Sequence, residues 1–152
     1  DGLMVFPFGN GAERIFNNRD LSGHISNINF NIHQNDHMVR ATLEGIAFAL
    51  IYGIEILKND GVVIDKIKVG NDNLFLSDEF SKTIANTLGV SIEMLEATGA
   101  EGAARASVYK HDIKTEEEKI KVNKTIKADE NLYEKYNWVY KNWKNQLTNN
   151  LI

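Results

Sequence analysis

"IDKIKVGNDNLFLSDEFSKTIANTLGVSIEMLEATGAEGAARAS", from Ile64 to Ser107, changes its pattern repeatedly within one stretch. IDKIKVG is rich in β-branched residues and ends on Gly70, which reads as a strand. NDNLFLSDEFSKTIANTLG reads as a loop and then a helix, with Ser77 as N-cap and Glu79 or Phe80 in the first turn. VSIEMLE is a second strand, and TGAEGAARAS opens a helix built almost wholly from small residues. Strand, helix, strand and helix joined by short connections predict an α/β layer fold with parallel strand pairing in this half of the chain.

The flanking segments extend this layer. Leu3 to Phe8 is a short apolar run that ends around Pro7 and the turn GNG, which predicts a strand followed by a loop holding Glu13 and Arg14. Gly23 to Phe30 alternates Ile25, Ile28 and Phe30 with Ser and Asn, and predicts a second strand. NDHMVRATLEGIAFALIYGIEILKNDG is the strongest helical segment, with Asn35 or Asp36 as N-cap and Gly61 as its stop. Leu43, Ile46, Ala47, Leu50, Ile51 and Ile54 surround its middle, so the helix should be buried on more than one side. Residues 114–128 are charged and weakly patterned. They read as a surface linker with one short extended piece around Ile120 to Val122. Residues 129–152 read as a terminal helix in which Leu132, Tyr136, Val139, Trp143 and Leu147 share one face and dock it on the main unit, residues 1–113.

The totals exclude several functions. A net charge of −4 over 152 residues argues against a nucleic-acid surface, which needs a basic excess. The chain has no cysteine, which removes disulfides, thiolate metal sites and a cysteine nucleophile. The longest apolar run carries a glutamate and is too short for a bilayer, which takes about 20 residues. With no segment resembling a signal peptide, the expectation is a cytoplasmic protein that engages neither membrane nor nucleic acid. DGLMVFPFGNG starts inside a strand-like pattern, as the middle of a longer chain would.

Two strand ends are candidates for chemistry, because ligands in open α/β sheets bind beyond the carboxyl ends of the strands. The first is VGNDNLFLS, Val69 to Ser77. Gly70 permits a tight turn or a close ligand, Asn71, Asp72 and Asn73 offer short polar side chains, and Ser77 either caps the helix or binds. Alone, this is what any strand-to-helix turn contains. The second is EATGAEGAARAS, where Gly99 and Gly102 flatten a helix start whose free N–H groups suit an anion or a flat ring. Close helix–sheet packing demands the same residues. GxxxxGK[ST] and GxGxxG are both absent, which removes a P-loop and weighs against a dinucleotide-binding dehydrogenase half. His24, His33, His37 and His111 are scattered without a metal-binding spacing and read as surface residues. Arg40 and Glu44, one helical turn apart, read as a side-chain pair. Glu13 and Arg14 either contact a ligand or pin their own loop.

Four segments in series, DGLMVFPFGNGAER, RATLEGIAFALIYGIEILKNDG, IDKIKVGNDNLFLSDEFSKTIANTLG and TGAEGAARAS, resemble the C-terminal half of the FGGY carbohydrate kinases, most of all the xylulokinases. The resemblance covers roughly the first 110 residues. It implies the second of two actin-like ATPase (ribonuclease H-like) domains, incomplete at its N-terminus, with ATP and sugar bound between the domains. The glycine turn and its helix would line the adenosine end of the ATP site. On this chain that implies Gly70, Asn71, Asn73 and Ser77 as ATP-binding residues. Gly99, Gly102 and Ala103 would support the site from behind, and Glu13 and Arg14 would stand near the cleft. The usual turn of glycines and alanine is replaced by GNDN. The resemblance further implies phosphoryl transfer from Mg-ATP to a sugar hydroxyl, D-xylulose being the expected sugar. The catalytic aspartate and the phosphate loops of such a kinase belong to its N-terminal domain and upstream chain. This segment should therefore hold no catalytic residue and no metal site, and should be inactive alone. A homodimer stays open, as does a non-catalytic actin-like module that binds nucleotide for assembly.

Overall fold

The computed structural model describes residues 1–108 and 120–151. A hairpin of β1 (Met4–Glu13) and β2 (Arg19–Ser26) comes first, joined through a 3-10 turn at Arg14–Phe16. The long helix α1 (Asn35–Asn59) follows, and then β3 (Lys66–Gly70), a 3-10 turn at Asn73–Leu76, and α2 (Asp78–Leu88). The chain continues through β4 (Ser91–Leu95), α3 (Gly99–Val108), β5 (Val122–Ile126) and α4 (Glu130–Asn150). The second sheet has the order β3-β4-β5, parallel between β3 and β4 and antiparallel between β4 and β5. The parallel pairing expected of the second half is present. No helix among the described residues is long and apolar enough to cross a membrane.

One point on β1 organises the core. The backbone carbonyl of Val5 lies so close to Gly45 of α1 that a Cβ there would come within 2.2 Å of it. Only glycine lets the helix reach the strand's backbone. The same carbonyl accepts a hydrogen bond of 2.9 Å from the indole N–H of Trp143 on α4. In a two-stranded ladder each strand leaves one edge without a strand partner, and Trp143 supplies that partner here. The indole is 1% exposed and stacks on Phe6 at 5.2 Å, with Phe48 and Phe8 at 5.8 and 6.2 Å. A buried aromatic of this kind is worth about 3–5 kcal/mol against alanine. The terminal helix is thus part of the core that β1 and α1 build, rather than an accessory to it.

The ends of α1 show how local chemistry stops a helix. Gly61 adopts φ +89, its N–H donates to the Lys58 carbonyl, and the Val62 N–H donates to the Leu57 carbonyl, which is a Schellman stop. At the start, the N-cap is Gln34 instead of Asn35 or Asp36, in a capping box with His37. The imidazole Nδ1 of His37 accepts the Gln34 N–H, so a histidine does the work usually given to a carboxylate.

Several other expectations need correction. The second strand spans Arg19–Ser26 and ends before Ile28 and Phe30, both of which are exposed. Asn27 takes φ +60, which breaks the extended backbone that the alternation suggested. The GNG segment sits inside β1 as an irregularity between Phe8 and Ala12. The C-terminal part of the proposed linker is β5, from Val122 to Ile126, well beyond the short extended piece expected at Ile120 to Val122; residues 114–119 lie outside those described. Only Ile126 of β5 is buried, so an edge strand held by its backbone ladder left no alternation to read. On α4, Trp143 and Leu147 are buried as expected, and Tyr140 joins them unforeseen. Burial first, and the nearby Glu55 carboxylate after it, push the Tyr140 phenol well above its ordinary pKa. His33 is buried rather than surface-exposed, its Nδ1 accepting the Asn29 N–H at 3.0 Å. His111 lies outside the described residues.

Gly45→Ala is expected to destabilise the fold by about 2–3 kcal/mol through overpacking against Val5. Gly53→Ala, eight residues further along α1, would meet only an Ile15 methyl at 4.0 Å. It is expected to gain about 0.5–1 kcal/mol from helix propensity. Urea denaturation of the two variants distinguishes them, and equal effects would remove the Val5 contact as the limiting constraint.

Candidate functional site

The two candidate turns, one after β3 and one after β4, are tied to each other. The Asn71 N–H donates to the Ala97 carbonyl at 3.0 Å. The Asp72 carboxylate accepts the Gly99 N–H at 3.0 Å. Gly70 lies beneath this knot, where a Cβ would come 2.9 Å from the Ala97 oxygen and 3.3 Å from the Gly99 nitrogen. Its missing side chain is therefore required by the neighbouring turn, before any ligand is considered.

The start of α3 is already satisfied from within. The Thr98 hydroxyl accepts the Glu101 N–H at 3.3 Å, and the Glu101 carboxylate accepts the Thr98 N–H at 2.6 Å. This reciprocal pair is the T-x-x-E capping box, legible at positions 98–101 and unread in the sequence. With Asp72 on Gly99 and Glu101 on Thr98, two carboxylates occupy the helix start where a phosphate would otherwise bind. The Glu101 carboxyl is held below the ordinary glutamate pKa, by the Thr98 N–H first and the Thr98 hydroxyl second.

The remaining candidate residues divide into three groups. Asn71 and Asn73 are exposed beside Gly70, and Asn73 takes φ +54. Among the described residues neither side-chain amide has a hydrogen-bond partner. Ser77 is the N-cap of α2, its hydroxyl accepting the Phe80 N–H at 3.4 Å, so it serves the helix as the sequence allowed. Gly99 stands against Asp72, which fits a support role, whereas Gly102 and Ala103 are exposed and a Cβ on Gly102 would meet nothing within 4 Å. Glu13 and Arg14 belong to the other sheet, at the β1–β2 hairpin, where Glu13 faces Arg19 in the ladder. Asp72 is the residue that sequence reasoning passed over. It was one short polar side chain among three, and only its reach to Gly99 across the sheet shows its role.

The helix behind the first turn is firmly anchored. Phe80, Ile84 and Ala85 of α2 are in the core, and the Asn86 side-chain carbonyl accepts the Asp129 N–H at the start of α4. Arg40 of α1 pairs with Glu44 at 2.6 Å, as the spacing predicted, and also reaches Glu79 of α2 and the Tyr136 hydroxyl of α4. A cavity of about 640 Å³ lies at the start of α1, next to Asp1, His33 and Tyr136, away from the Gly70 turn. Among the described residues, no cluster of three or more His, Cys, Asp or Glu side chains is placed to hold a metal ion.

Residues 1–111 match the sequence model of the FGGY family of carbohydrate kinases, C-terminal domain. The chain belongs to that family. Solved structures agree on the fold of this C-terminal domain. The structure titled xyloylose kinase from Brucella ovis superposes with a TM-score of 0.79 at 22% identity, covering 97% of this chain and 31% of that one. Xylulose kinase from Rhodospirillum rubrum gives 0.73 at 20% identity, covering 97% of this chain and 30% of that one. Plasmodium falciparum glycerol kinase with ADP gives 0.72 at 18% identity, covering 99% of this chain and 31% of that one. The FGGY chain described here thus spans about a third of the length of these kinases. No curated protein sequence matches it.

Because the Glu101 pKa is depressed, its contribution is complete above the unfolded value and is lost as pH falls through the folded one. The Thr98 amide should stay protected at neutral and mildly acidic pH, and lose protection only below the ordinary glutamate range. An NMR titration of that amide checks this, and a midpoint at or above the ordinary value contradicts the capping box.

Proposed function

We propose that this C-terminal domain supplies the adenosine side of the ATP site in a sugar kinase that phosphorylates a ketose, D-xylulose being the favoured substrate. The observation that carries the reading is the knot of Asn71, Asp72, Ala97 and Gly99, which holds two turns together at the carboxyl ends of parallel β3 and β4. That is the position at which an open α/β sheet presents a ligand site.

The chemistry of the turn favours one end of the nucleotide. Asn71 and Asn73 expose neutral amides, which donate and accept and so suit the edge of a purine. Asp72 and Glu101 already hold the α3 start and would repel phosphate. The triphosphate therefore extends away from α3, toward the part of the kinase outside these residues. No described carboxylate cluster fits Mg2+, so the ion would arrive on the phosphates. Bound ATP supplies the transferable phosphoryl group; this domain's residues hold and orient the purine. Phosphoryl transfer depends on positioning and charge stabilisation. The base that would activate the sugar hydroxyl is assigned to the N-terminal domain, which leaves the 152-residue chain inactive by itself. A cytoplasmic location goes with this reading.

In the complete kinase, Asn71→Leu is expected to raise the KM for ATP about 10-fold or more, with the KM for sugar and the melting temperature little changed. Steady-state kinetics over both substrates check it. An unchanged ATP KM would remove the turn from the site, and a complete kinase that consumes ATP with no ketose, polyol or glycerol would remove the kinase reading.

A further inference from the structure

The turn that leads into α1 is closed by two histidines used in the same way. The Asn29 N–H donates to His33 Nδ1 at 3.0 Å, and the Gln34 N–H donates to His37 Nδ1 at 3.1 Å. A backbone N–H can only donate, so both Nδ1 atoms are unprotonated and each neutral ring carries its proton on Nε2. The Asn29 carbonyl closes the same span from the other side, accepting the Ile32 and His33 N–H groups at 3.0 and 2.8 Å. The two rings stand 5.6 Å apart, centroid to centroid.

Protonation turns each Nδ1 from an acceptor into a donor that faces a donor, so both bonds to the backbone are lost. His33 resists charging most. It is 9% exposed, and its Nε2 has no hydrogen-bond partner among the described residues. An imidazolium there would be buried without a hydrogen-bonded counter-ion. His37 sits in the first turn of α1, where the helix dipole opposes positive charge, and a charged neighbour in His33 would repel it further. The other groups around the cavity that both rings line do not reverse this balance. The Asp1 carboxylate accepts from His37 Nε2 at 3.1 Å and favours its charged form, but that pair is exposed and water screens it. Glu44 is matched by Arg40, which also binds the Tyr136 hydroxyl. Asp36 and Lys135 bring opposite charges to the same cavity.

We propose that the His33–His37 pair is a pH-sensitive latch. Closed around neutral imidazoles, it pins residues 29–34 to the start of α1, and it opens when the rings take up protons. Linkage fixes the direction. The bonds need unprotonated rings, so their stabilisation is present above the ordinary histidine range, about pH 6.5, and is lost as pH falls through it. The opening is local. Arg40, one turn into the helix, ties α1 to Glu79 of α2 and to Tyr136 of α4, and the apolar core behind it contains no imidazole. Nucleotide binding at the Gly70 turn plays no part in the latch.

Amide exchange of the 152-residue chain, corrected for the intrinsic rate at each pH, reads the latch directly. Protection at Asn29 and Gln34 should fall at least about 10-fold between about pH 7.5 and about pH 5.5, while Ile84 in the core keeps its protection. His33→Asn with His37→Gln removes both titrating rings and leaves an amide oxygen where each Nδ1 stood, glutamine being an ordinary partner in a capping box. In that double variant the two amides should hold their protection within about 2-fold over the same range. The tautomers are checked in the unaltered chain by imidazole nitrogen shifts, which should show unprotonated Nδ1 on both rings at neutral pH. Protection at Asn29 and Gln34 that ignores pH overturns the proposal, as does an equal loss in the double variant. A fall at Ile84 in step with them also overturns it, in favour of global acid unfolding, and so does a protonated Nδ1 on both rings at neutral pH.

Discussion

Everything in this domain is arranged around the carbonyl of Val5. An edge-strand oxygen facing the interior must find a donor, and Trp143, 138 residues away, provides it. The same oxygen excludes any side chain at position 45, so α1 is fixed at backbone distance from β1. One atom thereby sets the separation of the strand, the long helix and the terminal helix. The aromatic rings of Phe6, Phe8, Phe48 and Tyr140 fill the space that this geometry leaves around the indole. Close packing makes such a cluster intolerant of both loss and gain of volume.

The proposed nucleotide turn is positioned by that core without being part of it. Phe80, Ile84 and Ala85 anchor α2, and α2 carries the turn at its N-terminal end. Beyond the anchor, α3 is exposed over residues 99 to 105 and is attached through the Asp72–Gly99 and Asn71–Ala97 hydrogen bonds. A rigid base with a lightly held rim suits the proposed nucleotide turn, because regions with few buried contacts open at low cost. The carboxylates of Asp72 and Glu101 at the rim disfavour a phosphate next to α3.

Signals confined to neighbouring residues were readable. Ser77 as N-cap, Gly61 as a stop, the Arg40–Glu44 pair and the strand–helix–strand alternation of Ile64 to Ser107 all rest on short-range geometry, and all are present. The T-x-x-E box at Thr98 was equally local and was overlooked behind the glycines. What escaped were features whose partner lies far along the chain. Tyr140, the hydrogen bond from the Gly99 N–H to Asp72, and β5 with its single buried Ile126 carry no periodic mark. Gly102 shows the converse: its bare backbone looked like packing and faces open space.

The sequence by itself determined the α/β class, the stop of α1 at Gly61, the cap of α2 at Ser77 and membership in the kinase family, because hydrophobic period, caps and motif order are properties of adjacent residues. Tertiary structure alone decided which glycine is indispensable, which backbone oxygen the Trp143 indole bonds, and why Gly70 must lack a side chain. Each of those answers depends on an atom brought close by folding from another part of the chain: the Val5 oxygen for Gly45 and Trp143, the Ala97 oxygen for Gly70.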